Sequence, residues 1–392
     1  MNPPGASRPL RIFIVAGEES GDRLGGPLIR ALSERNSAIT FTGVGGVEMG
    51  REGLTSLFPI SDLALMGFNA VARKLPLIFR RIRETVIAVL AAKPDVLVII
   101  DSPDFTHRVA RRVRKKAPTI PIVNYVSPSV WAWRPGRARS MSRYVDHVLA
   151  LLPFEPDVHR RLGGPACSYV GHPLAETASA WRPNAQEIAR RQSDPAILLV
   201  VPGSRTGEIK RLLQDFGKAV EVLDRAVGPL DIVIPAVPHL AALLEIETST
   251  WHRPPQILSD PAKKQAAFRV ARAALAKSGT VTLELAISGV PMVTAYKVSP
   301  VEAPIFRRLI KAPSAILANL VLGENVVPEF IQQDCTVDNL SRALRPLLSD
   351  TPERRRQLDA FARLDAIMEI GVVHPSSRAA EIVLAEAARA GR

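Results

Sequence analysis

Residues 277–297, KSGTVTLELAISGVPMVTAYK, read as a glycine turn, a helix with a carboxylate in its second turn, and a buried strand. A turn of this kind directs free backbone N–H groups and the positive end of the helix dipole at one point, which suits a diphosphate. Glu284, four residues after Thr280, is spaced to accept hydrogen bonds from ribose hydroxyls. An ordinary βα loop capped by Ser278 or Thr280 fits the same letters.

The alternation in this stretch runs through both halves of the chain. Short Val- and Ile-rich runs at 11–16, 39–43, 96–100, 122–126 and 147–151, then at 197–201, 230–234, 271–275 and 291–296, are separated by longer helical patterns. That order predicts parallel sheets covered by helices, hence an α/β chain of two Rossmann-like doubly wound domains. A length of 392 residues is too great for one ordinary core and suits two. The segment 171–195 is polar, carries three prolines and separates the two series, so the linker is placed there. The expected division is 1–175, 176–365 and a helical 366–392, with a cleft between the domains as the default active site. Arg354, Arg355 and Arg356 read as a solvated face of the C-terminal helices.

Lys and Arg number 51 against 38 Asp and Glu, a net charge of +13 that draws anions such as diphosphates and lipid headgroups. Nucleic acid is not an expected partner, because aromatics make up 5% and no recognition module is present. The two cysteines, Cys167 and Cys335, form neither a disulfide framework nor a zinc spacing and fit a reducing cytoplasm. The seven histidines show no metal-ligand spacing, no Asp-x-Asp ends an apolar strand, and Gly-x-Ser-x-Gly is missing, so neither a metal nor a serine hydrolase is expected. His172, between Gly171 and Pro173, reads as a linker residue. The proline-bearing N-terminus lacks the apolar core of a secretory signal, and no apolar run reaches a spanning length.

Several loops fall at the carboxyl ends of predicted strands, where open α/β sheets bind ligands. Pro202-Gly203-Ser204-Arg205 follows one, and its Arg205 can grip a phosphate bidentately or pair with Glu208. Asp101 follows another, placed to act as general base toward a sugar hydroxyl, while Asp104 reads as a helix-capping residue beside Pro103. The loop Gly17-Glu18-Glu19-Ser20-Gly21-Asp22 is no dinucleotide motif, and its three carboxylates suit hydroxyls better than pyrophosphate. Glu18 or Glu19 can equally complement a helix dipole. Ser127 to Arg134 brings Trp131 and Trp133 close to Arg134, a setting for a sugar ring and its phosphate, with a core role for Trp131 as the alternative. Between residues 63 and 90, Leu75, Ile78, Phe79, Ile82, Val86 and Val89 share a helical face. The later part reads as core packing. In 65–79, with Met66, Phe68, Leu75, Ile78 and Phe79 mixed among basic residues, the pattern is that of a helix on an anionic bilayer.

Together these motifs resemble the lipid-A-disaccharide synthase family from Gly17 to about Leu348. The likeness is carried by the 17–22 loop, Gly43-Val44-Gly45-Gly46, Met66-Gly67, Asp101-Ser102-Pro103-Asp104-Phe105, Ser127 to Arg134, Pro202 to Arg205, Ser278-Gly279-Thr280 with Glu284, and Asn319 followed by Gly323 and Pro328-Glu329. The resemblance implies a GT-B type fold whose C-terminal helices cross back onto the first domain. It also implies an inverting transfer from UDP-2,3-diacylglucosamine to 2,3-diacylglucosamine 1-phosphate, with no metal or other cofactor. Ser204, Arg205, Ser278, Gly279, Thr280, Glu284, Asn319 and Glu329 would bind UDP. Asp101 would be the base, with Asp104 and Glu18 as open alternatives, and Glu18, Ser20, Trp133 and Arg134 would meet the acceptor. The segment 65–79 would meet acyl chains and the inner-membrane surface from the cytoplasmic side, and a homodimer is allowed. Two letters depart from the family pattern: Ala70 stands where a Glu is usual, and Ala318 where a Pro is usual before Asn319. The other readings are a different GT-B enzyme, such as a UDP-GlcNAc 2-epimerase or a polyprenyl-linked sugar transferase, or a non-enzymatic lipid-binding protein.

Overall fold

A computed structural model of the chain describes residues 8–63, 68–299, 314–372 and 374–390, without the side chains of 68–74 and 390. The chain divides into two units, 1–173 with 372–392, and 174–371.

In the first unit six parallel strands, β1 (Leu10–Ala16), β2 (Ile39–Val44), β3 (Val96–Ile100), β4 (Ile122–Tyr125), β5 (His147–Ala150) and β6 (Ala166–Tyr169), pair in the order β2-β1-β3-β4-β5-β6. Its helices are α1 (Glu19–Arg35), α2 (Val47–Arg51), α3 (Phe68–Ala92), α4 (Pro103–Lys116), α5 (Gly136–Met141) and α6 (Glu155–Arg161), with Pro375–Ala390 returning from the far end of the chain. The run Val-Leu-Val-Ile-Ile of β3 is apolar without alternation because helices cover both sheet faces, and all five residues are buried. Ile12, Ile14 and Val98 face α1 and the C-terminal helix through Leu28, Leu32, Ala380 and Val383. Phe13, Val15, Leu97 and Ile99 face α3 and α4 through Ile82, Val86, Val109 and Val113. The Arg35–Glu381 ion pair at 2.8 Å and the His147 Nδ1–Glu386 hydrogen bond at 3.1 Å tie the C-terminal helix to this unit.

Helix α7 (Pro173–Glu176) spans the boundary, and the second unit goes on with α8 (Ala178–Trp181), α9 (Ala185–Gln192), β7 (Ala196–Val201), α10 (Thr206–Val227) and β8 (Leu230–Pro235). It continues with α11 (Ala241–Thr248), β9 (Gln256–Leu258), α12 (Pro261–Val270), β10 (Ala273–Lys277), α13 (Val281–Ile287), β11 (Met292–Tyr296) and β12 (Glu329–Ile331). The parallel order is β12-β11-β10-β7-β8-β9. Ile209, Leu212, Phe216 and Val220 of α10, at helical spacing, bury against Leu198, Val200 and Leu275.

Three edge strands, β6, β9 and β12, were not expected from the sequence, and β10 begins two residues later than the expected 271. The expected linker 171–195 is mostly helical, with Asn184 and Glu187 closing a capping box at the start of α9. Residues up to Gly371 belong to the second unit, so of the C-terminal segment only Val372 onward lies in the first. Arg354 is a correction to the solvated face, being half-buried and donating at 2.6 Å to the carbonyls of Arg272 and Leu347.

Candidate functional site

Each sheet reverses its strand order once, and at such a point the loops leaving the two strands diverge and open a crevice. In the first unit this happens between β1 and β3.

Asp101 and Ser102 leave β3 with φ of 51° and 44°, left-handed backbone that costs a non-glycine residue about 1–3 kcal/mol. The conformation lifts the Asp101 carboxylate out of the strand edge. Its Oδ1 accepts from the Ser102 N–H at 2.8 Å and its Oδ2 from the Ser20 hydroxyl at 2.9 Å. The Asp101 N–H donates to the Tyr125 carbonyl at 3.0 Å, and Thr106 Oγ1 donates to the Asp101 carbonyl at 2.6 Å. Gly17 allows the two loops to meet, since a Cβ there would lie 2.3 Å from that of Ser102.

The remaining residues of the first loop divide by role. Glu18 is exposed at the N-cap position of α1, and Glu19 is exposed in its first turn. Asp22 is buried and accepts from the N–H groups of Gly46, Glu48 and Met49 at 2.7, 2.9 and 3.1 Å, so this carboxylate holds the start of α2. Asp104 is exposed in the first turn of α4, and no side chain caps that helix.

On the 127–134 loop, Trp131 packs edge-on to Phe154 at 5.6 Å and donates its indole N–H to Glu155 at 3.1 Å. This is the structural role weighed for it. Trp133 is exposed, with the Arg134 and Arg137 guanidinium carbons 4.3 and 5.6 Å from its ring centre. Glu155 also accepts from the N–H groups of Leu151 and Leu152 at 3.1 Å, and burial pushes its carboxyl up to about 7 against those donors.

In α3, Ile82, Val86 and Val89 are buried, Ile78 packs partly on the core, and Leu75 and Phe79 are 43% and 48% exposed. Met66 and the side chain of Phe68 lie outside the described residues. Two of the surrounding cations are satisfied within the chain: Arg80 pairs with Glu84 at 2.8 Å, and Arg81 with Asp62 and Glu84 at 2.5 and 2.6 Å.

In the second unit the reversal lies between β7 and β10, and a cavity of about 290 Å³ opens there. Ser204, Gly279, Thr280 and Glu284, all anticipated, line it together with Trp181, Glu208, Lys264 and Lys277, which were not. Glu208 is buried and organises the floor, accepting from the Ser204 N–H at 3.3 Å and pairing with Lys277 at 3.2 Å and Arg205 at 3.4 Å. Gly203, with φ of 122°, lets the loop pass over this carboxylate. Burial pushes the Glu284 carboxyl up, and nearby Lys264 opposes the shift.

Four of the anticipated donor residues are placed differently. Arg205 has an 81% exposed side chain and is not among the cavity's lining residues. Ser278 is buried and donates to Glu329 at 3.2 Å, and Glu329 also accepts from the Ala315 N–H at 3.2 Å. Asn319 is buried, accepting from the N–H groups of Val326 and Val327 at 3.1 and 2.9 Å and donating to the Val327 carbonyl at 3.0 Å. Neither Ser278 nor Thr280 caps α13; Thr282 donates instead to the Gly279 carbonyl at 2.7 Å. Among the described residues no group of three acidic, His or Cys side chains could hold a metal ion, and no helix is long and apolar enough to cross a membrane.

Residues 12–383 match the family described as Lipid-A-disaccharide synthetase. A lipid-A-disaccharide synthase of Nitrobacter hamburgensis is 61% identical over 375 residues, covering 95% of each chain. One of Rhodospirillum centenum is 44% identical over 381 residues, covering 96% of this chain and 94% of its own. Among solved structures, a putative UDP-N-acetylglucosamine 2-epimerase from Listeria monocytogenes superposes with a TM-score of 0.61 at 14% identity, over 96% of this chain and 95% of its own. The calicheamicin glycosyltransferase CalG4 gives 0.58 at 16% identity, over 98% and 99%. These two likenesses concern the fold alone and agree with the GT-B architecture of two parallel sheets. Matched over nearly its whole length by the family and by close relatives of one name, the chain belongs to the lipid-A-disaccharide synthases.

Proposed function

We propose that the protein transfers 2,3-diacylglucosamine from its UDP derivative to the 6-hydroxyl of 2,3-diacylglucosamine 1-phosphate, releasing UDP with inversion at the anomeric carbon. The observation that carries the reading is the Asp101 carboxylate, raised on left-handed backbone at the reversal of the first sheet and oriented by Ser20 and Ser102. Asp101 takes the proton of the 6-hydroxyl as that oxygen bonds to the anomeric carbon. The bond from this carbon to the diphosphate breaks in the same displacement, and its electron pair leaves on the UDP oxygen. Cations offset the charge that develops there, which supports Lys277 and Lys264 beside Arg205 as partners of the diphosphate, with Glu284 on the ribose. Within the second unit Ser278, Asn319 and Glu329 then act by holding the loops that shape the cavity. Glu18, Trp133 and Arg134 remain with the acceptor in this reading, and all three are exposed at their loops.

Exposed Leu75 and Phe79 support reversible attachment to the anionic cytoplasmic face of the inner membrane, where both acylated sugars reside. A soluble epimerase gives no account of them. The test is incubation with the two acylated sugars. A disaccharide 1-phosphate formed with one UDP per turnover is expected, and 2-epimerised sugar without disaccharide would replace this reading by the epimerase one.

A further inference from the structure

The outer side of α4 bears an unusual density of cations. Arg108, Arg111, Arg112 and Lys115, with Arg137 of α5, line a groove of about 420 Å³ that begins at Pro103 and Asp104. Small-molecule sites occupy roughly 300–1,000 Å³, so the groove has the size of one.

A solvated helix face does not explain it. Arg108 and Arg112, and again Arg111 and Lys115, are like charges four residues apart, a spacing that disfavours the helix. Cations in a last turn complement the dipole, but Arg108, Arg111 and Arg112 lie ahead of that turn. Among the described residues none of the five cations forms an ion pair, and Asp104 is the only carboxylate among the lining residues. By contrast Arg114, on the same helix, pairs with Asp146. Arg108 lies 5.8 Å from the ring centre of exposed Phe79, so apolar surface borders the charge. Arg137 lies beside Trp133, and the groove opens two residues beyond Asp101. At 1.5 Å per residue, Arg108 is about 7.5 Å along the helix from Pro103, the scale of one sugar ring.

We infer that this groove binds the phosphomonoester of the acylated acceptor sugar, with Arg108 and Arg112 as its principal partners. The inference rests on the proposed reaction, whose acceptor carries a phosphate at one end of the ring and the reacting hydroxyl at the other. Phosphate bound here removes the repulsion along α4 and orients the ring with its free hydroxyl toward Asp101. The concavity favours a discrete phosphate over a flat bilayer.

The experiment compares wild type with the double variant Arg108→Gln, Arg112→Gln, both positions being exposed. Acceptor KM is measured with 2,3-diacylglucosamine 1-phosphate and with 2,3-diacylglucosamine lacking the phosphate, alongside donor KM and binding to phosphatidylglycerol vesicles. Equilibrium binding of the phosphorylated acceptor reads the groove independently of turnover. The variant is expected to raise KM and Kd for the phosphorylated acceptor about tenfold to a hundredfold, as for loss of charge-assisted bonds. Donor KM and vesicle binding should be unchanged, and the wild-type preference for the phosphorylated acceptor should collapse. Equal losses with both acceptors, unchanged acceptor binding, or a defect confined to vesicle binding would each overturn the inference. If wild type binds the phosphorylated acceptor and the variant does not, yet neither makes disaccharide, the groove stands and the proposed reaction falls.

Discussion

The two units present opposite chemistry at equivalent places. Each has a six-stranded parallel sheet with one reversal of order, and in each the loops at that reversal leave the carboxyl ends of buried strands. In the first unit the reversal holds a carboxylate between hydroxyl and amide donors; in the second it holds Lys264 and Lys277 around Glu208 and Glu284. In the proposed reaction one topology thus supplies a site for a hydroxyl to lose its proton and another for an anion to leave. The difference lies in a few loop residues, because strand geometry fixes only where loops diverge.

The largest effect expected from this contrast is at Asp101. Asp101→Asn keeps the size of the side chain and removes the base, so kcat should fall by about 10²–10⁴ while UDP binding, measured by calorimetry, stays as in wild type. A parallel loss of UDP affinity would mean that the two reversals do not divide the labour. Next in size is Lys277→Met, which removes the nearer of the two cations paired with Glu208 and one of the two lysines lining the cavity. UDP affinity should drop about tenfold to a hundredfold, and Arg205→Ala, at an exposed position, should cost less. Equal losses would return Arg205 to the centre of the anion site. Gly17→Ala tests the close approach behind Asp101. A Cβ placed 2.3 Å from that of Ser102 forces the loops apart, so stability in urea should fall by about 1–3 kcal/mol and kcat should fall with it.

Much of the contrast was legible in the sequence. Unbroken apolar runs such as 96–100 and 197–201 declared buried parallel strands, and the residue following each run declared a site loop. The edge strands Ala-Cys-Ser-Tyr, Gln-Ile-Leu and Glu-Phe-Ile did not announce themselves, because a short strand with one covered side needs no such run. The Ala-rich β10 has no periodicity to fix its start, which explains the two-residue offset. The capping box Asn184–Glu187 was a readable signal of helix inside the supposed linker, obscured by the prolines around it. Within the sites, Asp101, Thr280 and Glu284 could be found from their loops. Lys264 and Trp181 could not, since each joins the cavity from a separate helix, and Lys277, the last residue of β10 before the turn, carries no motif of its own. Asp22, Asn319 and Glu329 sat in suggestive motifs, and their polar atoms are engaged in holding loops.

The smallest effect concerns acid, and again separates the units. Burial pushes His107 down to about 4, with the nearby Arg137 and Arg111 charges adding to the shift, and burial also pushes His159 down. Both belong to the first unit. A histidine held neutral in the fold but titrating near 6.5 when unfolded gives stability that is present above about pH 6.5 and is lost as pH falls toward 4. Glu155 acts oppositely, because a carboxyl raised to about 7 gives stability below about pH 4.5 that is lost as pH rises through 7. A bare pH profile of the first unit therefore mixes two slopes. The difference between wild type and His107→Gln isolates one of them: between pH 7.5 and 5.5 wild type should lose on the order of 1 kcal/mol more than the variant in urea unfolding, read by the transition of the first unit. Identical slopes would mean that His107 takes up its proton without disturbing Tyr144, whose hydroxyl lies 3.0 Å from its Nδ1, and that the basic flank of α4 exerts no measurable field on the core beneath it.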